Sequence, residues 1–128
     1  MTGKLIIIGG SPSFQERLSR FFKDRYQLKM ADSGKKGLTL LRTFQPPMVL
    51  LSAVLPDRNG LEILKHLQQD LPQSKTILFS TLQDMNTTIQ AMQLGAYDYV
   101  LEDIDLDELD HKIQKAIRIL TLNEKISP

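Results

Sequence analysis

Short, wholly apolar runs alternate along this chain with longer stretches in which apolar residues recur every three or four positions. Leu5-Ile6-Ile7-Ile8 stops at Gly9-Gly10, the pattern of a strand buried on both faces. Met48-Val49-Leu50-Leu51 and Thr76-Ile77-Leu78-Phe79 repeat it. Tyr26–Ala31 is more polar and suits a strand nearer a sheet edge, and Tyr97–Leu101 is a short last strand. Helices are predicted between them. Ser11 offers an N-cap before Pro12, Ser13 with Glu16 is placed to form a capping box, and Phe14, Leu18, Phe21 and Phe22 share one face. Ser33 caps a second helix with Leu38 and Leu41 on its apolar side, ending before Pro46-Pro47. Leu61, Leu64 and Leu67 mark a third, stopped near Pro72. Asp84 caps a fourth, which carries Ile89 and Met92 and closes at Gly95, a natural residue just past a helix end. Asp105 and Glu108 open a long fifth helix bearing Leu106, Leu109, Ile113, Ala116, Ile117 and Leu120. Five strands alternating with five helices predict an α/β fold, a doubly wound parallel sheet with right-handed crossovers.

A length of 128 residues suits one domain. The periodic pattern fills residues 1–120, and 121–128 reads as a C-terminal tail or the start of a linker. Sixteen Lys and Arg against fifteen Asp and Glu leave a net charge of +1, which argues against a nucleic-acid-binding module. The absence of cysteine removes disulfides, thiolate nucleophiles and cysteine-held metals. His66 and His111 stand alone on predicted helices and read as surface residues. The apolar run at Leu5–Ile8 is too short for a leader or a membrane span, so a cytoplasmic location away from membranes is expected. Glu102, Asp103, Asp105, Asp107, Glu108 and Asp110 are explained by capping and dipole complementation at the start of the last helix, so neither a metal site nor a cofactor is expected. Asp57, the carboxylate nearest Ser52 in sequence, is expected to be solvated.

The order of these motifs resembles the receiver domain of bacterial response regulators. The resemblance runs from about Lys4 to about Leu120. It is most specific in Leu94-Gly95-Ala96-Tyr97-Asp98-Tyr99-Val100 followed by Asp105-Leu106-Asp107-Glu108-Leu109. Met48–Leu51 with Pro56 and Gly60 behind it, and a hydroxyl residue closing strand 4 at Ser80, add to it. It implies a flavodoxin-like five-stranded sheet of order 2-1-3-4-5 flanked by five helices. In active members an Asp ending strand 3 takes a phosphoryl group from a sensor kinase. Two acidic residues after strand 1 help hold Mg²⁺, and a Ser or Thr after strand 4 and a Lys after strand 5 bind the phosphoryl oxygens.

Carried over residue by residue, this chain departs at nearly every chemical position. Gly9 and Gly10 stand at the acidic pair, Ser52 at the phospho-acceptor and Glu102 at the lysine, with Asp103 where a proline usually follows. Ser80, Thr81 and Tyr99 keep the switch-like positions. An alcohol without an activating base is a weak nucleophile, and glycines hold no Mg²⁺. The expectation is therefore a degenerate receiver: a non-enzymatic module of two-component signalling that acts by protein contact without aspartyl phosphorylation. The implied partner is a sensor kinase, an output domain such as a transcription regulator, or a second copy in a homodimer, bound through the helix 4–strand 5–helix 5 face. The alternative is a small-ligand or anion binder, for a nucleotide or flavin, using the crevice at the carboxyl ends of the strands. Hydrolysis built on Ser52 ranks below both. Gly9–Ser13 reads as a tight turn with an N-cap before it reads as an anion cradle. Glu102 is expected either in water or accepting a hydrogen bond from Ser80, Thr81 or Ser52.

Overall fold

A computed structural model describes residues 3–82 and 84–126, with side chains as far as 120. The elements run β1 (Lys4–Ile8), α1 (Pro12–Phe22), β2 (Gln27–Ala31), α2 (Gly34–Phe44), β3 (Met48–Ser52), α3 (Gly60–Asp70), β4 (Lys75–Ser80), α4 (Met85–Gln93), β5 (Asp98–Leu101) and α5 (Leu106–Ile126). All strand pairs are parallel and the order is β2-β1-β3-β4-β5, as the resemblance implies. β1, β3 and β4, the apolar runs, are the interior strands, and the more polar β2 lies at an edge.

Because side chains alternate along a strand, each central run feeds two cores at once. Ile6, Ile8, Val49, Leu51 and Leu78 pack under α2, α3 and α4 against Leu41, Leu64, Leu67 and Ala91. Leu5, Ile7, Met48, Leu50, Ile77 and Phe79 pack under α1 and α5 against Phe14, Leu18, Phe22, Leu109 and Ile113. Phe14 and Phe79 meet edge to face at 5.0 Å between ring centres, and burying each ring contributes about 1.5–3 kcal/mol. Among the described residues no helix is long and apolar enough to cross a membrane.

Several local expectations change. Pro12 opens α1, so Ser11 is the cap and its Oγ accepts the Phe14 N–H at 3.2 Å. Ser13 is then inside the helix and forms no capping box, and Glu16 pairs with Arg20 instead. In α4 only Ala91 is buried, and Ile89 and Met92 are exposed on its outer side. α5 continues as helix through Ile126, past the last apolar repeat at Leu120. The expected tail thus includes helical backbone, while its side chains and residues 127–128 lie outside the described part.

Asp110 does not serve the capping of α5. It is 5% exposed and accepts hydrogen bonds from Tyr26 Oη at 2.7 Å, Arg25 Nη1 at 3.0 Å and Gln114 Nε2 at 3.1 Å. The Arg25 guanidinium also lies over the Phe21 ring at 4.1 Å. This cluster fastens α5 to the corner between α1 and β2. Burial, reinforced by Asp110, holds the Tyr26 phenol well above its ordinary value of 10. A raised phenol contributes stability that is complete below the unfolded-state value and is lost as pH rises through the folded one. Asp110→Ala should cost about 2–3 kcal/mol in urea unfolding, since it strands a buried hydroxyl and removes charge-assisted bonds. In an ultraviolet tyrosinate titration, Tyr26→Phe should abolish the late-ionising tyrosine.

Candidate functional site

In a parallel sheet every turn that follows a strand emerges at the same end, so five turns converge on one crevice. Here it has a volume of about 180 Å³ and is lined by hydroxyls of Ser11, Ser52, Ser80 and Thr81, by the carboxylates of Asp32 and Glu102, and by Gly9, Gly10, Val54 and Pro56. The sequence reading brought all of these together except Ser11, Asp32, Val54 and Pro56 as lining groups. Asp32 follows the last residue of β2, the one signal that places it here, and it pairs with Lys36 at 3.1 Å.

The β1–α1 turn is shaped by its glycines. Gly9 and Gly10 have φ of +83° and +99°, a region that L side chains rarely adopt. A Cβ at Gly9 would lie 2.7 Å from Ser52 Cβ and 2.5 Å from Leu55 Cδ2, and one at Gly10 would lie 3.1 Å from the Phe79 ring. The turn therefore lies flat against the end of β3. Ser52 is almost fully buried there, donating to Val54 O at 2.8 Å while its Oγ receives the Val54 N–H at 3.3 Å. Its hydroxyl is committed to its own turn.

Ser80 donates its proton to Leu82 O, so Tyr99 Oη, at 2.7 Å, is the donor to Ser80 Oγ. Thr81 lies exposed on the rim. Glu102 does not accept from Ser80, Thr81 or Ser52, nor does it simply point into water. Ser11 Oγ donates to Glu102 Oε1 at 2.7 Å, Arg17 Nη1 donates to Glu102 O at 3.1 Å, and Glu102 N donates to Ser80 O at 2.9 Å. The departure has a simple cause: Ser11, as the α1 cap, projects across the crevice toward the end of β5. None of the lining residues is Lys or Arg, and among the described residues no group of three or more His, Cys, Asp or Glu is arranged to hold a metal. His66 and His111 are exposed and distant from this lining.

Asp57 is exposed, and in addition it accepts Gly34 N–H at 2.8 Å on Oδ1 and Lys35 N–H at 3.0 Å on Oδ2. With Ser33 Oγ taking Lys36 N–H at 3.2 Å, the first three free donors of α2 are satisfied, two of them by a residue from the β3–α3 loop. The Gly34 and Lys35 N–H groups, with the nearby Arg58, hold the Asp57 carboxyl below its ordinary value. The loop behind Ser52 is thereby pinned to α2.

This topology and the convergence of five strand ends on one crevice define a doubly wound α/β fold, and comparison with known proteins makes it specific. Residues 5–114 match the response regulator receiver domain family, and the chain belongs to that family. It is 26% identical over 124 residues to the regulatory protein AtoC of Escherichia coli, covering 96% of this chain and 27% of AtoC. It is 31% identical over 117 residues to the transcriptional regulatory protein CrdR of Helicobacter pylori, covering 90% of this chain and 55% of CrdR. The chain thus spans from about a quarter to about half the length of these relatives. The signal receiver domain of a putative LuxO repressor protein from Vibrio parahaemolyticus superposes with a TM-score of 0.90 at 18% identity, covering 100% of this chain and 99% of that one.

The Asp57 clamp carries a pH signature. A carboxyl held low when folded contributes stability that is present above its unfolded-state value of 3.8 and is lost as pH falls through the folded value. Asp57→Ala should lower the urea midpoint at neutral pH, and the gap to the wild type should close in acid below about pH 4.

Proposed function

We propose that this domain is a degenerate receiver that acts by protein–protein contact and does not undergo aspartyl phosphorylation. The observation that carries the reading is the electrostatics of the crevice. Phosphoryl transfer needs cations or oriented donors where charge develops, and an oxygen-rich seat for Mg²⁺. The lining offers hydroxyls and two carboxylates, with Ser52 at the acceptor position and Glu102 at the lysine position. The Gly9-Gly10 turn strengthens the argument: its positive φ values and contacts with Ser52, Leu55 and Phe79 leave poor room for the acidic side chains that active relatives carry there. The same charges count against a nucleotide or flavin ligand, whose phosphates would meet Asp32 and Glu102. The volume of about 180 Å³ is also small for such a ligand, since pockets of that kind run about 300–1,000 Å³. The module is read as non-enzymatic on the same grounds.

Contact through α4, β5 and α5 is favoured by what those elements expose. Met85, Ile89 and Met92 recur at helical spacing on the outer side of α4, exposed by 75%, 48% and 45%. On α5 Lys112 bridges Asp98 of β5 at 2.7 Å, and Lys115 and Arg118 lie exposed further along the helix. Apolar side chains together with oriented charges suit a sensor kinase, an output domain or a second copy of the chain.

Intact-mass spectrometry after incubation with acetyl phosphate and Mg²⁺ should give an unmodified chain. Ser52→Asp should remain unmodified too, because the metal seat and the compensating cation are still missing; a stoichiometric adduct on the wild-type chain would sink the reading. In sedimentation velocity, Ile89→Lys should weaken self-association by roughly 1–2 kcal/mol and Lys115→Glu by about 1 kcal/mol or less, with circular dichroism unchanged.

A further inference from the structure

Ser11 and Glu102 are 91 residues apart in sequence, yet their side chains meet at 2.7 Å across one end of the crevice. The meeting is built from both sides. A serine hydroxyl has one proton and two lone pairs. Ser11 Oγ accepts from Phe14 N as the α1 cap, and Ser13 Oγ lies beside it at 3.4 Å, so its single proton is directed at Glu102. The cap interaction orients the donor. On the other side the carboxylate is an acceptor only, and a hydrogen bond to an ionised acceptor is about twice as strong as one between neutral groups.

Neither partner rests on a free loop. Gln15 Nε2 donates to Gly9 O at 2.9 Å and ties the β1–α1 turn to the first turn of α1. Glu102 is fixed to the end of β4 by its own N–H on Ser80 O, and to α1 by Arg17 Nη1 on its carbonyl. The contact therefore joins two anchored turns, and the ends of β1, β4 and β5 share one hydrogen-bonded chain.

We propose that Glu102 is a built-in latch: held by Ser11, its carboxylate couples the β5–α5 turn to the β1–α1 turn and keeps that end of the crevice closed with no group bound. The inference rests on the degenerate-receiver reading and deepens it. Here the group that holds the two turns together belongs to the chain itself. The β5 and α5 surface is then presented in one arrangement whatever the phospho-donor supply.

Amide hydrogen exchange by mass spectrometry on the whole chain tests the latch, with Glu102→Ala, Glu102→Gln and Ser11→Gly as variants. Glycine is tolerated at an N-cap, so Ser11→Gly removes the donor while largely keeping the cap. In Glu102→Ala, residues 9–14 should exchange roughly tenfold faster although the substitution is on the other turn, and residues 101–106 should follow. Glu102→Gln, which keeps a neutral acceptor, should fall between wild type and Glu102→Ala. The Ser11→Gly, Glu102→Ala double variant should exchange no faster than the single variants, as expected for two halves of one contact. Unchanged exchange at 9–14 in both Glu102 variants, or strictly additive effects, would overturn the latch. No phospho-donor is present, so this failure is distinct from that of the degenerate-receiver reading, which an adduct in the mass measurement would reveal.

Discussion

Covering both faces of a parallel sheet is the constraint from which the rest of this molecule follows. β1, β3 and β4 carry apolar side chains on both faces, so helices must lie on each side, α1 and α5 on one and α2, α3 and α4 on the other. Parallel pairing then sends every strand in the same direction. Residues as distant as Gly9, Asp32, Ser52, Ser80 and Glu102 are gathered at one end for that reason alone.

The helix ends created by this arrangement decide what several acidic residues do. A helix leaves its first N–H groups unpaired, and carboxylates are the strongest acceptors available for them. Asp84 and Asp105 cap their own helices, whereas Asp57 reaches from another loop to the start of α2. Asp110 serves a different need, satisfying the hydroxyl of Tyr26 where α5 crosses the α1–β2 corner. These four aspartates therefore serve the structure, and among the described residues no group of three or more His, Cys, Asp or Glu is arranged to hold a metal.

The crevice is built on a family scaffold whose polar groups here bind one another. Membership of the receiver family is established by the match over residues 5–114, and that scaffold supplies the strand ends, the Ser80–Tyr99 pair and the long final helix. Within it the hydroxyl of Ser52 closes on Val54, the glycine turn presses against β3, and Glu102 is held by Ser11. Each group is satisfied by a neighbour in the same chain. The proposed protein-contact role would then fall to the exposed apolar side of α4 and the charges of α5.

The strands, the helices and their alternation were legible in the residues, because burial on two faces writes unbroken apolar runs and burial on one writes a period near 3.6. The five-stranded architecture and the meeting of Gly9, Gly10, Ser52, Ser80, Thr81 and Glu102 were legible too, once the resemblance supplied the strand order. What the residues alone left open was which partner each polar group takes. Asp57 lies in an exposed loop and yet satisfies the start of α2, and Asp110 reads in sequence as part of the acidic helix start and yet is buried against Tyr26. Glu102 had three candidate hydroxyls, Ser80, Thr81 and Ser52, and meets none of them but a fourth, Ser11, at the cap of α1. Hydrophobic periodicity is local and survives in a string of letters. A hydrogen bond between residues 91 apart depends on where the packed sheet sets two turns in space, and only the tertiary structure decides that.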